Sequence, residues 1–192
     1  MKTMYFALLA FVAATPLMAQ ETREMDAHVH GVSTLDLAIE GDVVEMNLVS
    51  PGMDIVGFEY AASSDVDKDA VEAAIRTMLV PENIVELPDA AECRLTEVLA
   101  HLHGGAHDDH EDHAGDHEHG HDEDHDHENG AGHSEFHVRY IFDCEHAEDL
   151  TTISFPFFTQ FENAEEIEAQ FVTDAGAGSA EIDRDTAELT LN

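Results

Sequence analysis

No tryptophan occurs among the 192 residues, and there are only two cysteines, five prolines and seven Lys or Arg. Those seven cations face 43 Asp or Glu, for a formal charge of -36. A surface so poor in positive charge repels phosphate, which excludes nucleic-acid binding and adhesion to anionic lipid. After the first twenty residues no apolar run is long enough to span a bilayer, so direct membrane insertion is not expected. A Gly-rich phosphate loop, G-x-S-x-G and H-E-x-x-H in a helical context are missing too, so the chain is not expected to be an enzyme.

Residues 1–19 read as a secretory signal. Lys2 precedes an apolar run over 4–14, then Pro16, then the small residue Ala19 at which cleavage fits. Leu17 is bulkier than usual for its place, so the cut falls within a few residues of Ala19. The mature chain, 20–192, is expected to be exported as one domain interrupted by residues 101–133. In an oxidising compartment Cys93 and Cys144 are expected to pair. The alternative is two buried thiols that never meet.

What the chain has in quantity is histidine, 15 in all. Residues 101–133 hold 11 His, 11 Asp or Glu and 6 Gly. Such a segment cannot bury enough surface to offset the entropy of ordering it, so a long disordered His/Asp-rich loop is expected. A bond between Cys93 and Cys144 would join its flanking strands as a stem.

The flanks carry periodic patterns. Val29, Leu35, Leu37 and Ile39 alternate with polar residues over 29–39, and Val44, Met46 and Leu48 do so beyond the Gly41-Asp42 turn. Phe136, Val138, Tyr140, Phe142 and Cys144 alternate with Glu135, His137, Arg139 and Asp143. Further strands are expected at 95–102, 151–155, 167–171, 180–182 and 187–191. Ala70, Val71, Ala74, Ile75, Met78 and Leu79 form a helical stripe, with Ser64 or Asp65 as cap and Pro81 as stop. The expected fold class is α+β: a mainly antiparallel sheet with one principal amphipathic helix at about 65–79.

Imidazole is the commonest biological ligand for zinc, copper and nickel. The tract spaces its histidines as H-x-H (His101/His103, His117/His119/His121, His125/His127) and in steps of three or four (His103, His107, His110, His113, His117). With about four ligands per zinc, the tract including His133 could hold on the order of two to four ions. A solvated linker without ligand function is the bland alternative, but it gives no reason for histidine at every third position. Zn(II) fits best, with Ni(II) or Cu(II) as alternatives. The acidity is weaker evidence, because a salt-adapted surface would look the same.

A flexible tract offers many weak sites, whereas selective capture needs ligands on a rigid frame. His28 and His30 would project from one face of a strand ~6.5–7 Å apart. Glu59, His137, and His101 with His103 at the start of the loop complete the candidate ordered site. Simple exposure of His28 and His30 is the alternative. A third histidine beside them could leave zinc an open, hydrolytic position, which keeps a metalloenzyme reading in view.

The stretch Ala27-His28-Val29-His30-Gly31, the run Ser50-Pro51-Gly52-Met53-Asp54-Ile55-Val56-Gly57-Phe58-Glu59, the mid-chain Cys93, the His/Asp tract and Tyr140-x-Phe142-x-Cys144 occur in one order. Together they resemble the ZrgA-type periplasmic zinc-uptake proteins over nearly the whole mature chain. The resemblance implies a zinc-binding component serving a zinc ABC importer, or that importer's periplasmic binding component. The family pattern has His after Gly-Phe-Glu, and here Tyr60 stands there instead. That ligand is then lost, or its place passes to a neighbour such as Glu59. The expected function is capture of Zn(II) by the loop and delivery toward the transporter, with binding weakening below about pH 6. The alternative is a passive buffer or sink without a delivery partner.

Overall fold

The computed structural model describes residues 29–104 and 133–191. The expected signal segment, His28, and the tract histidines His107, His110, His113, His117, His119, His121, His125 and His127 lie outside them. Eight strands are described. β1 is Val32–Glu40, β2 Val43–Pro51, β3 Cys93–His103, β4 Glu135–Cys144, β5 Thr152–Ser154, β6 Glu166–Thr173, β7 Gly176–Asp183 and β8 Glu188–Thr190. Three helices, α1 Gly52–Val56, α2 Asp65–Met78 and α3 Phe157–Gln160, accompany them. Strand far outweighs helix, so the fold is mainly β with some helix.

Six strands form one sheet in the order β3-β4-β2-β1-β6-β7, and β5 pairs with β8 in a second, small sheet. Every pairing is antiparallel except β1 with β6. The period of two holds along β1, β2 and β4. Leu35, Leu37, Ile39, Val44, Met46, Leu48, Phe136, Val138, Tyr140 and Phe142 are buried on one face. Thr34, Asp36, Glu97, His101 and His103 are exposed on the other. Each fully buried Leu, Ile or Phe contributes about 1.5–3 kcal/mol, so a one-residue slip in register would be prohibitive.

The helix α2 follows its stripe, burying Ala74 and Met78. Its N-cap is Ser64, whose Oγ accepts from the Asp67 N–H at 3.1 Å, and Asp65 and Asp67 complement the helix dipole. Tyr140 ties the helix to the sheet by donating its hydroxyl to the Met78 carbonyl at 2.5 Å.

Cys93 and Cys144 face each other in register and form the expected disulfide. The β3–β4 ladder runs from this bond to His103 opposite Glu135. At that second end β1 and β6 begin, β2 stops and α1 starts, so with β3 and β4 six elements converge there.

One expectation fails at this end. Positions 29–31 are not strand: Val29 is exposed, His30 lies in a turn, and β1 starts only at Val32. Gly31, at φ +89°, turns the backbone out of the extended path, so His30 does not lie on a strand face.

Candidate metal centre

Backbone bonds fasten the convergent end before any side chain acts. Gly52 N–H donates to the Ser134 carbonyl at 2.7 Å, and Ser134 N–H donates to the Glu59 carbonyl at 3.1 Å. Gly52 has to be glycine, because the Ser134 hydroxyl and the Phe58 carbonyl occupy the space a Cβ would need. The Gly31 carbonyl accepts from both Glu165 and Glu166, and its N–H donates to Asp54 Oδ1 at 2.8 Å. His30, Glu59 and His133 are thereby held in one place by three separate loops.

The Glu59 carboxylate lies between the two imidazoles. His133 Nδ1 is 2.5 Å from Oε2, and His30 Nε2 is 3.1 Å from Oε1. The second contact has the range of an ion pair but not the alignment of a hydrogen bond, so Oε1 accepts none. Burial pushes the Glu59 carboxyl up, but His133 and His30 together outweigh it and hold the group below the usual range. Asp54 goes the other way. Burial raises its carboxyl, the nearby Glu59 and Glu165 charges add to that, and the Gly31 bond and His30 oppose it.

Among the described residues, three buried side-chain oxygens lack a hydrogen bond: Asp54 Oδ2, Glu59 Oε1 and Ser134 Oγ. All three belong to this end of the sheet. Glu59 Oε1 still has His30 Nε2 at 3.1 Å, whereas Asp54 Oδ2 and Ser134 Oγ have no hydrogen-bond partner, and a buried oxygen left so costs about 1–3 kcal/mol. A cleft of about 390 Å³ opens beside Asp54, lined in part by His30, Asn163 and Glu165.

A second group sits on the outer face of the sheet. His101 is directly opposite His137, and His103 is opposite Glu135. The His137 ring lies 5.4 Å from each of the other two rings, and its Nε2 is 2.9 Å from Glu135 Oε2. Burial, then the neighbouring His137 and His103, lower the His101 pKa and favour its neutral, metal-binding form. Arg139 occupies the adjoining carboxylates, pairing with Glu45 at 2.9 Å and Glu97 at 2.6 Å.

The expected ordered set is thus divided. His30 and Glu59 meet, while His101, His103 and His137 gather on the β3–β4 ladder. His133, read as a tract residue, sits beside Glu59. Asp54, Ser134 and Glu135 were not among the candidates; only Glu135 left a trace in the pattern, as the residue sharing the polar face of β4 with His137. Tyr60 stacks on Phe58 at 4.7 Å between ring centres and is mostly exposed. Among the described residues no three His, Cys, Asp or Glu side chains are already closed around a common point for a metal ion. In the His30–Glu59–His133 group one carboxylate contacts both imidazoles. An ion entering there would replace those contacts with bonds of about 2.0–2.2 Å.

The donor set of nitrogens and carboxylate oxygens suits a borderline divalent ion better than calcium or magnesium. Among the described residues no helix is long and apolar enough to cross a membrane. No curated protein matches the chain. The family model for the ZrgA family zinc uptake protein, however, matches residues 27–191, and with these histidine clusters in place the chain belongs to that family.

Proposed function

We propose that the chain is an exported, non-enzymatic zinc-capture protein whose tract gathers Zn(II) and whose folded end receives it at His30, Glu59 and His133. From there the ion passes toward a zinc ABC importer or its periplasmic binding component. The observation that carries this reading is where the tract is attached. Gly104 lies against the carbonyl of His133, so residues 105–132 leave and rejoin the fold at the site itself. An ion released by any tract histidine is therefore concentrated beside a preformed pair of imidazoles, in the manner of a tethered ligand.

Zinc as cargo would give Glu59 Oε1 a ligand role. Glu59 would ligate through the oxygen that now accepts no hydrogen bond, and Asp54 would hold the His30-Gly31 turn from behind. His28, next in the chain, is the natural further ligand.

Competition against a chromophoric chelator tests the assignment. In the full chain, replacing the histidines of 105–132 by Ser should reduce capacity but leave one tight site. The His30→Ala/His133→Ala pair should abolish that site and growth on low zinc. If affinity instead follows the tract alone and growth on low zinc is unchanged by the pair, the chain is a passive buffer.

A further inference from the structure

The three imidazoles on the outer face have a spacing that cross-strand pairing alone does not require. Register places opposite side chains about 4.5–5.5 Å apart at Cβ, which accounts for His101 and His137. His103 is not opposite His137 but diagonal to it, where Cβ atoms stand about 7–8 Å apart or somewhat less. Its ring nevertheless closes to the same 5.4 Å that separates the opposed pair. Two imidazoles bound to one tetrahedral zinc through Zn–N bonds of about 2.0–2.1 Å stand roughly 5.2 Å apart between ring centres. His137 has that relation to both neighbours.

The carboxylate is also in the right place. An ionised carboxylate can only accept, so Glu135 fixes His137 with its Nε2 protonated and directs the other nitrogen to be the ligand. A carboxylate behind a metal-binding histidine sets its tautomer and raises its basicity.

We propose that His101, His103 and His137, backed by Glu135, form a second zinc-class site on the exposed face of the β3–β4 ladder, distinct from the His30–Glu59–His133 site. With three nitrogen ligands it takes Zn(II), Ni(II) or Cu(II) and leaves one position open to water or to a ligand from a partner. His101 and His103 are exposed, so a bound ion can be reached from solvent, which suits exchange rather than storage. The inference deepens the zinc-capture reading but does not depend on the assignment of the first site.

Imidazole NMR of the full chain, labelled with nitrogen-15 at histidine and titrated with zinc chloride, tests it. The signals of His101, His103 and His137 should shift together. In His137→Gln the response of His101 and His103 should weaken by tenfold or more in zinc concentration, while His30 and His133 still respond. His103→Asn should likewise uncouple His101 and His137. All three side chains lie on the outer face, so both variants keep the core intact. The site is refuted if His101 and His103 respond in His137→Gln as in the parent, or if the trio stays silent while His30 and His133 shift. Silence at all five positions up to millimolar zinc refutes the first site as well.

Discussion

The two ends of the β3–β4 ladder are built from the same pair of strands by opposite means. At one end Cys93 and Cys144 close the pair covalently, and Cys144 is wholly buried beside Ala91 and Phe142 in the core. At the other, His103 and Glu135 end the ladder among imidazoles, carboxylates and three unmatched oxygens. The first end is closed by a covalent bond and a buried cysteine. The second leaves polar groups unpaired, each at a cost, and has the means to bind.

Breaking the closed end should have the largest effect. Cys93→Ala with Cys144→Ala opens a loop with a sequence separation of 51, worth about 4 kcal/mol in the chain-entropy account. The denaturant midpoint should drop accordingly, yet zinc binding by the remaining folded protein should persist. Loss of binding at temperatures where the variant is still folded would show that the two ends are not independent.

The open end should be the more sensitive to acid. Protons compete with metal for each imidazole, so below about pH 6.5 affinity should fall roughly tenfold per unit for each histidine ligand. Two such ligands give about a hundredfold between pH 6.5 and 5.5, measurable by competition titration. Glu59→Gln keeps the shape of the side chain but removes the charge between His30 and His133, and should weaken zinc binding there by about 10–100-fold.

Asp54→Asn gives the finest distinction. Burial raises the Asp54 carboxyl, so the native state binds its proton more readily than the unfolded chain does. Apo stability from this group therefore increases as pH falls toward the ordinary carboxylate range and is lost as pH rises through the raised value. Asn still accepts from Gly31 and carries no buried charge. The variant should melt slightly higher than the parent without zinc at neutral pH, and gain less on adding zinc. A lower apo melting temperature would mean that the Asp54 charge is already compensated.

The sheet was legible because its inner face obeys a strict period of two, from Leu35 to Ile39 and from Phe136 to Cys144. Helix α2 was legible from its stripe and its Ser64 cap. The turn at His30 was not, since alternation between Val29 and Ile39 suggests one unbroken strand and only the backbone of Gly31 interrupts it. The site was half legible. Residue type singled out His30, Glu59, His101, His103 and His137, but sequence spacing could not sort them between two faces. That sorting depends on β3 pairing with β4, and on Ser134 bonding to both Glu59 and Gly52. His133 looked like one histidine among eleven until its neighbour was seen to be Glu59.

The central claim is that a folded site, and not the tract alone, holds the ion. Carbethoxylation of each histidine in the full chain, read by peptide mass spectrometry with and without substoichiometric zinc, tests this most directly. The account expects His30 and His133 to be protected first and most strongly. Protection confined to histidines between 105 and 132, with His30 and His133 as reactive as in the metal-free chain, would contradict it.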